Sequence, residues 1–313
     1  MSNAMRIVLF CATQRGYRAL ERLAALAPEA ELIVFTFREE PHEPPFLDDI
    51  RGLCERVGAT CYEAKWVGTA KWQSFWESTD VDLILTVSWR YMIPSSVYKR
   101  ARLGAFVFHD SPLPRYRGFA PTVWAIINGE TETGVTLFEM ADAVDSGAII
   151  AQELVPIGQD NTIAEVMEQV TQTYLHLLER YLPALVSGSF TRIEQDQSLA
   201  TFTCKRLPED NQINWNASTR DCYNLIRAVT RPYPGAFTTL AGEKWIIWRA
   251  EWLPNFPPYV GRIPGRIVEI HPNRGVVVLT GDGALLITEV GREGEASQPA
   301  ADVFNSLSMT LAR

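Results

Sequence analysis

The chain opens with short, almost wholly apolar runs, separated by stretches whose apolar residues recur at helical spacing. "RIVLFCAT" has the length and composition of a buried strand. In "RGYRALERLAALAP" that follows, Tyr17, Leu20, Leu23 and Leu26 share one helical face, and Pro28 ends the pattern. "ELIVFTF" predicts a second strand. "FLDDIRGLCERVG" predicts a helix closed by Gly58. "VDLILTVS" and "AFVFHDS" predict two more buried strands. "TGVTLFEM" and "GAIIAQELVPI" predict a further pair joined by a turn. "NTIAEVMEQVTQTYLHLLERYLPALVSG" reads as a long helix, with Asn161 or Thr162 as N-cap and Glu165 near the capping-box position. Strands that are apolar along their length and alternate with helices predict a Rossmann-like α/β fold, a mostly parallel sheet covered on both faces.

The pattern changes after Gly188. Residues 189–215 are polar and irregular, and "STRDCYNLIRAVT" is a short helix followed by the turn "RPYPG". From there "AFTTL", "KWIIWRAEW", "GRIVEI", "GVVVLT" and "ALLITEV" are strand-like and separated by turn residues, the signature of a small OB-like β-barrel or sandwich. The expected organisation is a leader foreign to the native chain over residues 1–4 ahead of Met5, an α/β domain over 5–190, a linker over 191–205 and a mostly β domain over 206–313. The three tryptophans Trp245, Trp248 and Trp252 are expected to fill the β-domain core.

Composition narrows the function classes. The 313 residues are 47% apolar and 21% charged, ordinary for a globular chain. No apolar run approaches the length of a membrane span, which predicts a soluble, cytoplasmic protein without a secretory signal. Five scattered cysteines without a CxxC pair fit free thiols in a reducing compartment, and no metal site is expected. A net charge of −8 argues against a nucleic-acid backbone as the main partner.

Ligands of open parallel sheets bind at the carboxyl ends of the strands. Two such ends stand out, "VSWRYMIP" and "FHDSPLP". The chain has only four histidines, and His109 ends a predicted strand, a suitable place for general acid–base work with an ordinary pKa of about 6.5. A packed or capping role is equally compatible with position alone. Pro112 and Pro114 stiffen the loop that follows, and "RYRG" sets Arg115 and Arg117 beside the histidine, an arrangement suited to an anion or a carbonyl. Either arginine alone also fits a solvated surface charge. In "MADAVDSGAII", Asp142 or Asp145 is placed to orient a histidine; turn chemistry explains the same residues, and the pattern does not choose between them.

"HDSPLPRYRGFAPTVWAIINGETETGVTLFEMADAVDSGAIIAQ" resembles the core of the folate-dependent formyltransferases, which move a formyl group from 10-formyltetrahydrofolate to an amine. The shared pattern is His-x-Ser-x-Leu-Pro-x-x-Arg-Gly, then "NGE" and "TGVT", then Asp-x-Gly. "RLPEDNQINW", "NLIRAVTRPYPGAFTTL" and "TGDGALLITEV" resemble the family's smaller C-terminal barrel, so the similarity covers nearly the whole chain. It is closest to the formyltransferase domain that acts on a 4-amino sugar nucleotide in lipid A modification. The resemblance implies a catalytic trio of Asn, His and Asp. The histidine maps to His109 and the aspartate to Asp145, which raises the histidine's pKa. The asparagine, the donor to the oxyanion, maps to Val107, which has no donor, and Asp110 stands where relatives carry a small residue or proline. The folate's pterin is expected against Tyr91, Met92 and Ile93 and the loop Ala141, Asp142, Ala143, Val144. Phe119 replaces an arginine that sugar-nucleotide relatives carry on the folate side.

The expected acceptor is a nucleotide-linked amino sugar, seated by Arg115 and Arg117, with Lys205 and Arg206 as further cations. Relatives that formylate methionyl-tRNA carry a basic loop after the second strand. Here that segment is "TFREEPHEPPFLDD", which repels a phosphate backbone and ranks tRNA second. Two other readings stand beside these: a non-sugar amine of ornithine type, and a folate- or amine-binding paralogue with little transferase activity because of Val107.

Overall fold

The computed structural model describes residues 4–41 and 43–312. The chain forms two compact units. Of the described residues, one unit takes those up to 121, 133–156 and 168–204; the other takes 122–132, 157–167 and 205–312.

The first unit is a seven-stranded sheet in the order β3-β2-β1-β4-β5-β7-β8. Its elements are β1 (Arg6–Cys11), α1 (Thr13–Leu26), β2 (Glu31–Thr36), α2 (Leu47–Val57), β3 (Thr60–Glu63), α3 (Ala70–Ser78), β4 (Val81–Val87), α4 (Ser95–Tyr98) and β5 (Ala101–His109). Then come β6 (Arg117–Gly118), β7 (Glu132–Glu139), β8 (Ile149–Pro156), most of α6 (Ile163–Ser187) and β9 (Phe202–Thr203), while α5 (Pro121–Ile127) and the first turn of α6 fall in the second unit. Strands β1 to β5 pair in parallel, and β7 runs antiparallel to β5. The sheet is therefore mostly parallel, as the apolar runs predict. Gly58 ends α2 in the left-handed conformation that lets glycine cap a helix. The exposed, polar β3 and the aromatic-rich α3 have no clear period of their own. They are held by their neighbours, α3 by Trp72 and Trp76 packing on Phe35.

Alternation of side chains sorts the sheet into two faces. Val8, Phe10, Ile33, Phe35, Ile84 and Ala105 form one core with α3 and α4. Leu9, Cys11, Val34, Leu85, Phe106 and Phe108 point the other way and are also buried. Residues 191–204, expected as a linker, are bound into this unit. Ile193 bridges Ile149, and β9 pairs with β6.

The second unit holds α7 (Thr219–Val229), β10 (Ala236–Leu240), β11 (Glu243–Trp252), β12 (Ile267–His271), β13 (Gly275–Leu279), β14 (Ala284–Gly291), β15 (Gln298–Pro299) and α8 (Ala300–Val303). Its antiparallel sheet runs β10-β11-β14-β13-β12, with β15 on β14. Ala312 bridges Thr239 on β10, and Thr310 bridges Arg266 beside β12. The final residues thus join the two outer strands, which disposes of exposed edges in the way barrels do. Of the three tryptophans expected in its core, Trp245 is buried, and Trp248 and Trp252 are half-buried. Among the described residues no helix is long and apolar enough to cross a membrane.

Candidate active site

His109 is the last residue of β5, at the carboxyl edge of the sheet, and is 8% exposed. Its Nε2 lies 2.9 Å from the carbonyl oxygen of Tyr116. A carbonyl can only accept, so Nε2 carries a proton and the neutral ring keeps its free lone pair on Nδ1. Asp145 Oδ2 is 3.7 Å from the same Nε2, too long for a hydrogen bond. The same Oδ2 accepts from the Gly118 amide at 2.8 Å. The structure therefore joins His109 to Asp145 and not to Asp142.

The loop between them is held by many bonds. Ser111 Oγ donates to the Arg115 carbonyl at 2.8 Å, and Thr136 Oγ1 donates to the Ser111 carbonyl at 2.7 Å. Gln152 Nε2 donates to the Leu113 carbonyl at 2.9 Å, and the Tyr116 amide donates to Thr201 Oγ1 at 2.8 Å. Tyr116 has φ 61°, a left-handed backbone that turns its carbonyl under the imidazole. Gly147 of the Asp-x-Gly motif could not be another residue, because a Cβ there would run into the Glu139 carbonyl.

Arg117 faces inward. It is 3% exposed, and its guanidinium donates to Gln195 Oε1 from Nε at 3.2 Å and to Gln197 Oε1 from Nη1 at 2.9 Å. Gln195 Nε2 in turn donates to the carbonyls of Asp145 and Gly147, at 2.9 and 2.7 Å. Arg117 thus supports the aspartate loop from beneath, with its guanidinium spent on these glutamines. Arg115 is half-buried, its guanidinium 5.6 Å from the Tyr116 ring centre. Arg206 donates to Asn211 Oδ1 at 2.7 Å, and burial lowers its pKa.

Asp110 belongs to a network on the opposite face of β5. Its Oδ1 is 3.5 Å from Arg15 Nη1 and accepts from the Tyr174 hydroxyl at 3.3 Å. The same hydroxyl is 3.1 Å from the Phe108 carbonyl, and Arg15 lies over the Tyr174 ring at 4.6 Å. Burial, with Asp110 nearby, pushes the Tyr174 hydroxyl well above its ordinary pKa, so it stays a donor. The network pins the end of β5 to α1 and α6. Neither Arg15 nor Tyr174 carried a sequence signal, since each sits in an ordinary helical pattern.

The two segments expected to hold a pterin come together. The Tyr98 hydroxyl donates to Asp142 Oδ1 at 2.7 Å, tying the loop that contains Ala141, Ala143 and Val144 to the helix after Ile93. Burial and this carboxylate push the Tyr98 hydroxyl up to about 12. Ile93 is buried, Tyr91 is half-buried against Phe37 and Trp66, and Met92 and Val144 are exposed. Apolar side chains with a main-chain loop beside them are what a flat heteroaromatic ring requires. Phe119 is exposed.

Position 107 offers no donor. Val107 pairs in register with Thr86 on β4 and Phe138 on β7, and shares its face with His109. Thr86 is 4% exposed, and among the described residues its hydroxyl has no hydrogen-bond partner; the buried Nε1 of Trp89 has none either.

The whole arrangement has known counterparts. Residues 20–182 match the formyl transferase family and residues 206–308 match the formyl transferase C-terminal domain. The chain belongs to the formyl transferase family. Its fold is similar to that of HypX from Aquifex aeolicus in complex with tetrahydrofolic acid, with a TM-score of 0.62 and 21% identity over 96% of this chain. The chain spans about half of HypX, 47% of its length. It is also similar to an N-formyltransferase from Helicobacter canadensis in complex with folinic acid and dTDP-3-aminofucose, with a TM-score of 0.68 and 15% identity over 91% of this chain and 98% of that one. Methionyl-tRNA formyltransferase from Clostridium thermocellum gives a TM-score of 0.57 and 18% identity over 80% of this chain and 95% of that one.

Proposed function

We propose that this protein transfers a formyl group from 10-formyltetrahydrofolate to the primary amine of a nucleotide-linked amino sugar, with residues 5–190 as the catalytic domain. The observation that carries the reading is His109, whose Nε2–H is fixed by the Tyr116 carbonyl so that Nδ1 is the free base. The acceptor amine attacks the formyl carbon, and His109 Nδ1 takes the proton the nitrogen loses. The carbon–N10 bond then breaks, and the same proton passes to the departing N10 of tetrahydrofolate. Asp145 stabilises the imidazolium between the two transfers. Tyr91, Met92, Ile93 and the 141–144 loop would hold the folate. Arg117 is committed to Gln195 and Gln197, and Arg115 is the arginine assigned to the acceptor in this reading.

The acidic segment after β2 supports a small acceptor over tRNA. Arg90, which lies over Phe37, is paired with Glu43 at 2.9 Å. Oxyanion stabilisation, assigned elsewhere in the family to the residue at position 107, falls in this reading to Thr86. A reacting oxygen brought to Thr86 would meet an unpartnered, buried hydroxyl, in a setting where a hydrogen bond is strong.

The test is release of tetrahydrofolate from 10-formyltetrahydrofolate in the presence of a panel of nucleotide-linked amino sugars. Turnover is expected, with a loss of about 10³-fold or more in His109→Ala. Turnover absent from the native protein but restored by Val107→Asn would instead identify a binder that has lost its oxyanion donor.

A further inference from the structure

Three of the five cysteines, scattered in sequence, meet on one face of the sheet. Cys11 ends β1. Cys61 lies in β3 and pairs in register with Val34, whose side chain points to the same face as Cys11. Cys54 is on the inner side of α2, which covers that face. The Ala59 amide donates to the Cys54 carbonyl at 2.9 Å, so β3 turns back directly under the last turn of the helix. Cys11 and Cys54 are buried, and Cys61 is half-buried. The Cys54 and Cys61 thiols lie within hydrogen-bonding reach of each other. Among the described residues no group of three or more His, Cys, Asp or Glu side chains is placed to hold a metal ion.

We propose that Cys54 and Cys61 form a dithiol modification site, with Cys61 as the nucleophile and Cys54 as the thiol that resolves its oxidised form. The division of labour follows from the surroundings. The neighbouring Cys54 thiol and the Arg51 guanidinium hold the Cys61 thiol below its ordinary pKa, against its partial burial and the charge of Glu63. Arg51 is itself paired with Glu63 at 2.5 Å. Cys54 is pushed up by its contact with Cys61 and by burial, and Cys11 chiefly by burial, so both remain thiols. The nucleophile is therefore the one sulfur of the three that solvent reaches. The oxidant is a hydroperoxide. The Cys61 thiolate attacks the outer oxygen, the O–O bond breaks, and Cys61 becomes a sulfenic acid while the other oxygen leaves as water or alcohol. The Cys54 sulfur then attacks the Cys61 sulfur, its proton leaves with the hydroxyl as water, and a disulfide forms.

Trypsin cuts after Arg51, Arg56 and Lys65, which releases the two cysteines on separate peptides, 52–56 and 57–65. The native protein is treated with one equivalent of hydrogen peroxide, alkylated and digested without reductant. The expected product is these two peptides joined, with the loss of two hydrogens, formed ahead of oxidation at the exposed Cys204. In Cys54→Ser, Cys61 is expected to stop at the sulfenic acid and to be trapped by dimedone. Should that variant fold poorly, pulsed maleimide labelling of native protein serves instead: Cys61 labelling is expected to disappear first after peroxide. Oxidation of Cys204 with peptides 52–56 and 57–65 still unlinked would overturn the proposal, as would Cys61 joined to any cysteine other than Cys54.

Discussion

Each unit buries a threonine and a tryptophan whose polar atoms need partners, and the two units treat them differently. In the second unit Trp215 Nε1 donates to Thr238 Oγ1 at 3.0 Å, and that hydroxyl donates to the Ala312 carbonyl at 2.8 Å. In the first unit the Thr86 hydroxyl and Trp89 Nε1 have no partner among the described residues. Thr36 Oγ1 and Glu39 Oε2, at the end of β2 and just beyond it, have none either. A buried polar group without a partner costs about 1–3 kcal/mol, so native folds rarely leave several together. Of the five such atoms among the described residues of the first unit, four gather at the carboxyl ends of β2 and β4, the edge on which His109 stands, and the fifth, Arg6 Nε, is at the start of β1. The second unit leaves Trp248 Nε1 and Arg292 Nε. The Trp248 ring lies under Arg231 at 4.0 Å, and the Arg292 guanidinium lies over Trp245 at 4.6 Å. The second unit satisfies its buried threonine and tryptophan within the fold, whereas the first leaves the corresponding groups unpartnered beside the edge that carries His109.

That contrast is open to direct attack. Thr86→Val is expected to lower kcat by about 10²–10³-fold and to leave the melting temperature unchanged or higher, since an unpartnered hydroxyl is removed. Unchanged turnover would show that Thr86 is a packing residue only. Asp110→Ala removes the carboxylate beside the buried Arg15 guanidinium. Its expected cost is about 3 kcal/mol in denaturant unfolding, with a smaller loss of turnover as the end of β5 shifts. The matched change in the other unit, Thr238→Val, orphans Trp215 Nε1, while the Ala312 carbonyl keeps the Thr239 amide at 3.0 Å. It should destabilise by about 1–3 kcal/mol with kcat intact, the reverse of Thr86→Val.

The smallest effect concerns Asp282, which accepts from the Thr219 amide and hydroxyl, each at 2.7 Å. These bonds hold its pKa below the ordinary carboxylate value. Its contribution to stability is present above the unfolded value of about 3.9 and fades as the pH falls through the lower folded value. Asp282→Asn should therefore lower the melting temperature by a few degrees at neutral pH. The difference from the native protein should close in acid.

The regular elements were legible because burial is written into single residues. Runs such as "RIVLFCAT" and "VDLILTVS" have no polar position to face water, so a parallel sheet covered on both sides follows from composition alone. The histidine was legible because it ends one of those runs. β3, α3 and the 191–204 segment were not, since their residues are held by contacts distant in sequence, such as Gln195 under Asp145.

By itself, then, the sequence determined the fold class, the strand that ends in His109 and the absence of an amide at position 107. These are properties of local period and of residue identity. The tertiary structure decided between Asp142 and Asp145, turned Arg117 inward, gave Asp110 a partner in Arg15, placed Thr86 beside Val107 and gathered Cys11, Cys54 and Cys61 on one face. Each of these depends on strand register or on the meeting of residues far apart in the chain, and a linear pattern carries neither.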